Sequence, residues 1–203
     1  MGVKAFGKMY YKIRNSLIED EQKEIKSDLR FLAIIGVLTA IFFAIVIVFN
    51  EVFITVTVDG PSMQPNYYTG DVLLVNKAKT PEYGDVVIVD LGEKWLIKRV
   101  VAKGGDTVEL KDGYVYRNGE KLIEDYVKEQ GKTIRETLGD KFVLGKDKIF
   151  YLGDNRAESR DARHYGACNT GEIVGVVEND YPFVLKFGTF LRKLFYGFTY
   201  VKD

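Results

Sequence analysis

Hydrophobic and polar positions change their period twice along the chain. Ile13, Leu17, Ile18, Ile25 and Leu29 recur at near-helical spacing and predict a short amphipathic helix. From Phe31 to Phe49 the chain reads FLAIIGVLTAIFFAIVIVF, 19 residues without a charge and with Thr39 as the only hydroxyl. At ~1.5 Å per residue this stretch spans roughly 28 Å, close to the hydrocarbon thickness of a bilayer. A buried core helix seldom stays apolar on every face for such a length. A cleavable leader would be shorter and followed by a small-x-small site, whereas Asn50-Glu51-Val52-Phe53 follows here. The stretch therefore predicts a transmembrane helix.

After residue 51 the period becomes two. Val52 to Val58 is β-branched and strand-like, and short apolar runs follow at 71–76, 85–90, 95–102, 148–152 and 173–177. Gly70-Asp71, Gly84-Asp85 and Gly104-Gly105-Asp106 separate them as turns. Lys111-Asp112-Gly113 and Arg117-Asn118-Gly119 bracket Tyr114-Val115-Tyr116 as a meander. Residues 121–147 are charged and weakly patterned, which predicts an insertion or irregular loops. The aromatic and basic tail, Phe183 to Tyr200, suits either a membrane surface or closure of the β domain. The predicted fold is mainly β. A domain at 50–203 is tethered by one N-terminal transmembrane helix at 31–49, with residues 1–30 before it.

Charge adds direction. Lys4, Lys8, Lys12, Arg14, Lys23, Lys26 and Arg30 precede the apolar stretch, and no Lys or Arg follows it until Lys77. The positive-inside rule then puts residues 1–30 in the cytoplasm and the β domain outside, on a single-pass protein of the cell membrane. The 29 basic and 29 acidic residues balance, and no basic stripe suggests nucleic acid as a partner. One cysteine, Cys168, and one histidine, His164, exclude an intrachain disulfide and a cysteine-based zinc site.

Three stretches break the strand pattern. Gly60-Pro61-Ser62-Met63-Gln64-Pro65 sets a serine between prolines on a constrained turn, a place that can expose a hydroxyl or simply form the turn. Trp95 to Val101 carries Lys98 in a strand, on the face shared by Leu96 and Val100. Spacing alone favours a strand-edge lysine reaching solvent along its stem. The alternative is an amine held against apolar surface, where desolvation disfavours the ammonium and frees a base. Gly153 to Gly166 is dense in Asp, Asn, Arg and Ser between apolar strands, which argues for an ordered polar network rather than a solvated loop. An activated serine needs a neighbouring base. With one His and one Cys available, Ser plus Lys fits the inventory best among hydrolytic schemes.

In order and spacing these stretches resemble the type I signal (leader) peptidases of bacteria, over essentially the whole chain. The likeness runs from the anchor through the serine box at 60–65 and Gly84-Asp85-Val86-Val87. It continues in Lys98-Arg99-Val100-Val101 through Gly105-Asp106 and ends in Gly153-Asp154-Asn155-Arg156 with Ser159, Asp161 and Arg163. The resemblance implies a signal-peptidase-like β domain and a role for each matching residue. Ser62 matches the nucleophile, Lys98 the general base, and Ser159 the hydroxyl that orients the amine. Asp161 and Arg163 match a structural ion pair, with Asp154 nearby. Met63 and Ile97, with Val58, match walls of the pocket for the small residue before the scissile bond.

The chain departs from the family at four positions. Asn66 stands where Thr is frequent, with an effect expected on packing only. Gly104 replaces a proline, and Ala162 replaces a serine that supplies one hydrogen bond. Gly60 stands where some members carry an oxyanion-hole serine, which leaves main-chain N–H groups to complete the hole.

The implied activity is removal of signal peptides from secreted preproteins after Ala-x-Ala motifs, through an acyl-enzyme, with no cofactor or metal. The lipid bilayer is the setting, and a secretion translocon is a candidate partner. Two other readings are a self-cleaving Ser-Lys peptidase and a tethered β domain that binds exported chains without cutting.

Overall fold

A 50-residue helix, α1 (Val3–Val52), opens the chain. The computed structural model describes residues 3–133, 140–178 and 199–202. The amphipathic segment and the apolar stretch are one continuous helix, since no proline interrupts residues 1–52. Its most apolar window has a mean hydropathy of 3.1 and none of it is buried, so by length and composition it can cross a membrane. Residues 1–50 form one unit and residues 51–203 another.

The second unit is mostly strand. In chain order its strands are β1 (Phe53–Asp59), β2 (Val72–Asn76), β3 (Val86–Asp90), β4 (Trp95–Lys103), β5 (Thr107–Lys111) and β6 (Tyr114–Arg117). They continue as β7 (Glu120–Lys121), β8 (Lys141–Val143), β9 (Lys148–Leu152), β10 (Cys168–Asn169), β11 (Ile173–Glu178) and β12 (Thr199–Lys202). One sheet has the order β10-β9-β4-β3-β11-β2-β1-β12, the other β7-β6-β5-β8. Every pairing is antiparallel except β1 with β12, which is parallel. A helical turn, α2 (Ala162–Tyr165), follows β9.

Both faces of the large sheet are covered, which explains its continuous apolar strands. Val87, Val89, Leu96 and Val100 belong to one buried cluster; Val86, Ile88 and Ile97 belong to a second with Val56, Val58 and Met63. Period-two alternation sends neighbours on one strand into opposite clusters. Each fully buried Val or Ile contributes about 1.5–3 kcal/mol. Gly175 marks a bulge in the β11–β3 pairing, and a Cβ there would meet Asn76 O at 2.6 Å.

The weakly patterned stretch 121–147 is not all insertion. Lys121 ends β7, and Lys141–Val143 pairs with β5 as an edge strand. Its alternation was too short to register in the sequence. Residues 179–198, most of the aromatic tail, lie outside the described residues.

Asp106 fixes the turn between the two sheets. It accepts hydrogen bonds from Lys103 N at 2.9 Å, Asn118 Nδ2 at 2.7 Å and Tyr83 OH at 3.0 Å. Burial alone would raise its pKa, but these donors outweigh burial and hold the carboxyl below its ordinary 3.8. The stabilisation is therefore full above pH 3.8 and is lost as pH falls beneath it toward the lower folded value. Asp106→Asn is expected to cost about 1.5–3 kcal/mol at neutral pH, because hydrogen bonds to a charged group are lost. Denaturant melts across pH check this: the gap between wild type and variant should close in acid. A gap constant with pH would exclude the charge as its origin.

Candidate functional site

Beyond Asp59 the chain turns through Gly60, whose φ of +115° lies in the region that favours glycine. Gly60 N–H donates to Thr69 Oγ1 at 3.0 Å. Gln64 N–H closes on Pro61 O at 3.1 Å, and Asn66 and Tyr67 N–H on Met63 O at 3.0 Å. These bonds coil residues 60–67 tightly, and within the coil Ser62 is 0% exposed.

Lys98 also is 0% exposed. It occupies the middle of β4, opposite Val87 of β3, while the next residue, Arg99, pairs with Leu152 of β9. β4 is an interior strand, which overturns the reading of Lys98 as a strand-edge lysine reaching solvent. The amine instead turns inward: Nζ lies within hydrogen-bond distance of Ser62 Oγ and donates to Ile97 O, both at 2.7 Å. Met63, Ile97 and Val58 are buried in one apolar cluster beside this pair.

The stretch after β9 supplies the polar surroundings. Asp161 caps α2 and accepts from Arg163 Nε at 2.8 Å and Arg163 Nη2 at 2.9 Å. It also accepts from Ser159 Oγ at 2.8 Å and Gly153 N at 3.1 Å. Asp154 accepts from Arg99 Nε at 2.8 Å and Arg99 Nη2 at 2.6 Å. Burial opposes the Arg99 charge, but the bonds to Asp154 outweigh it and raise its pKa. Asn155 N–H donates to Ser62 O at 2.8 Å and Asn155 Nδ2 to Pro61 O at 3.1 Å. The serine turn and the polar loop are thus tied through their backbones.

One sequence expectation changes here. Asn66 does more than pack: its Nδ2 donates to Asp154 Oδ2 at 2.8 Å and to Tyr126 O at 2.7 Å, bonds that a threonine methyl could not make. Ala162 is completely buried in the larger apolar cluster. Sequence reasoning assigned no role to Arg99, Asn155, Gly153 or Glu124. The first three neighbour motif residues, which was their only signal. Glu124 had none. A thiol nucleophile is disfavoured, because Cys168 is buried and its pKa is pushed up to about 12, first by burial and then by the Glu172 charge.

Gly153 fits the site because it has no side chain. A Cβ there would lie 2.2 Å from Ser159 Oγ and 2.6 Å from Ser62 O. A serine hydroxyl beside a buried amine is an arrangement that can support acyl transfer.

Comparison with known proteins identifies the family. Residues 29–181 match the family model described as signal peptidase, peptidase S26. The chain is 37% identical over 145 residues to signal peptidase I V of Bacillus subtilis strain 168, covering 64% of this chain and 86% of that protein. It is 35% identical over 175 residues to signal peptidase I P of Bacillus subtilis subsp. natto, covering 78% and 92%. A crystal structure of a signal peptidase I from Enterococcus faecalis V583 aligns with 49% of this chain and 98% of that chain, at 27% identity and a TM-score of 0.42.

Gly153→Ala is expected to destabilise the second unit by about 1–3 kcal/mol, because the added Cβ has no room beside Ser159 and Ser62 O. Denaturant melts of wild type and variant check this. Equal midpoints would exclude tight packing at Gly153 as a requirement.

Proposed function

The chain belongs to the signal peptidase family, peptidase S26, serine peptidases that remove signal peptides, and on that premise we propose that Ser62 is its nucleophile and Lys98 its general base. The observation that carries the reading is the 2.7 Å separation of Lys98 Nζ and Ser62 Oγ, with both residues sealed from solvent. Taking an amine out of water disfavours its ammonium form, so Lys98 can hold a lone pair toward the hydroxyl at working pH. Ser62 Oγ attacks the scissile carbonyl carbon as its proton passes to Nζ. The tetrahedral intermediate collapses, the C–N bond breaks, and Nζ returns the proton to the leaving amine. Water, deprotonated by the same amine, then hydrolyses the ester and restores the Ser62 hydroxyl.

The surroundings take supporting roles. Ser159 gives its own proton to Asp161, which leaves its oxygen lone pairs to orient the amine. The Asp161–Arg163 pair holds Ser159, and Asp154 fixes the strand position of Arg99 beside Lys98. Thr69 takes the Gly60 N–H, so the main-chain N–H of Ser62 is the donor assigned to the oxyanion. Met63, Ile97 and Val58, packed in one buried apolar cluster, are the residues assigned to receive the small side chains of an Ala-x-Ala motif.

The substrate segment would add as a strand along β1. That edge accepts a parallel partner in the chain itself, since Val56 to Asp59 pair with Thr199 to Lys202. A secreted preprotein entering in the same direction must displace β12. The charge asymmetry around α1 supports a cytoplasmic N-terminus with the β unit outside the cell membrane, in contact with the lipid bilayer and within reach of a secretion translocon.

Ser62→Ala and Lys98→Arg should each abolish precursor cleavage in detergent while preserving the circular dichroism spectrum. A Lys98→Arg protein that still cuts would refute the neutral-base role; a Ser62→Ala protein that still supports export would favour a binding domain that does not cut. Deleting residues 199–203 is expected to lower KM about threefold to tenfold at constant kcat, as removal of a competing strand would. An unchanged KM would show that substrate does not take the place of β12.

A further inference from the structure

We propose that Glu124 is a positioning residue for the reaction, acting through Arg156 on the backbone that holds Ser62; this rests on the Ser62–Lys98 reading. Glu124 belongs to the stretch 122–133, which has no periodicity in the sequence and no regular structure. That stretch nevertheless lies against the polar loop and the serine turn. Lys128 N–H donates to Asp154 O at 3.0 Å, Tyr126 O accepts from Asn66, and Arg99 lies 4.3 Å from the centroid of the Tyr126 ring.

The strongest tie is an ion pair. Glu124 Oε1 accepts from Arg156 Nη2 at 2.5 Å and Glu124 Oε2 from Arg156 Nη1 at 3.1 Å, with side chains only 5% and 1% exposed. Thr133 Oγ1 takes a further bond from Nη1 at 2.5 Å, and Tyr126 OH donates to Glu124 Oε1 at 2.8 Å. Arg156 Nε then donates to Gly153 O at 3.0 Å. Gly153 is the residue whose Cα packs against Ser62 O and Ser159 Oγ, and the following Asn155 N–H holds Ser62 O.

A guanidinium cannot shed its charge, so in this interior it must have a carboxylate. With Glu124 neutral, Arg156 would swing toward water and release Gly153 O. The peptide bonds at 153–155 would lose their fixed orientation, and with it the Ser62 backbone. The β1 edge and the apolar pocket make none of these contacts. The loss should therefore appear in kcat rather than in KM.

The test compares the full chain in detergent, using precursor cleavage, with two variants. Glu124→Gln should lower kcat about tenfold or more while KM stays within about twofold. Because an unpaired buried arginine can unfold a protein, Glu124→Leu combined with Arg156→Met removes both charges and should fold with an unchanged melting temperature. It lacks the Nε bond to Gly153 and should show the same kcat loss. Wild-type kcat in a folded variant, or a loss that only follows the unfolded fraction, would overturn the inference. Ser62→Ala runs alongside. If that protein still cuts, the dyad reading has failed, and the inference is decided by amide exchange instead. Exchange at Asn155, measured on a peptide spanning 151–160, should accelerate about tenfold or more in Glu124→Gln as its acceptor moves. Unchanged exchange would refute the positioning role whichever residue is the nucleophile.

Discussion

Lys98 has no exposed surface, and its Nζ lies 2.7 Å from both Ser62 Oγ and Ile97 O. An ammonium group would be costly in such a place, whereas a neutral amine is tolerable and a good base. Much of the second unit can be understood from that constraint. β4 must be interior, flanked by β3 and β9, so that apolar clusters cover both faces. The serine turn must coil inward at the end of β1. The polar loop after β9 must then pass close enough for Gly153 to touch the Ser62 carbonyl.

Three carboxylate–guanidinium pairs surround this arrangement: Asp154 with Arg99, Asp161 with Arg163, and Glu124 with Arg156. Buried ion pairs are poor evidence for stability, because desolvation cancels most of their attraction. Their value here is that of fixed geometry. Arginine stays charged at any relevant pH and presents a planar fork, so each pair pins its carboxylate at two points. Each carboxylate in turn accepts a further bond from its surroundings: Asn66 for Asp154, Ser159 and Gly153 for Asp161, and Tyr126 for Glu124.

The apolar run at 31–49 and the strands at 71–76, 85–90 and 148–152 were legible because each obeys one period over its whole length. The polar stretch 153–166 was legible by composition. The order of strands was not. Alternation shows that a residue lies in a strand but not whether the strand is central, and β4 pairs with β9 across more than forty intervening residues. Lys98 therefore read as an edge lysine from spacing alone. Glu124 was hidden for a related reason, since its partner Arg156 lies 32 positions away and the loop that carries it has no period. Asn66 looked like a packing change because a single substitution in a turn carries no record of the carboxylate it faces.

An edge that receives substrate cannot be protected in the usual way. Exposed strand edges are normally blunted with proline, bulges or inward charges, because an open row of N–H and C=O groups invites pairing with any extended chain. β1 carries none of these devices from Phe53 to Val58, and such devices would also exclude a substrate strand. A parallel partner from the same chain meets both requirements. Among the described residues, Thr199 to Lys202 satisfy backbone groups of Val56 to Asp59. Under the proposed function, a substrate segment tethered to the same membrane would have a high effective concentration at that edge and would compete with this partner for it.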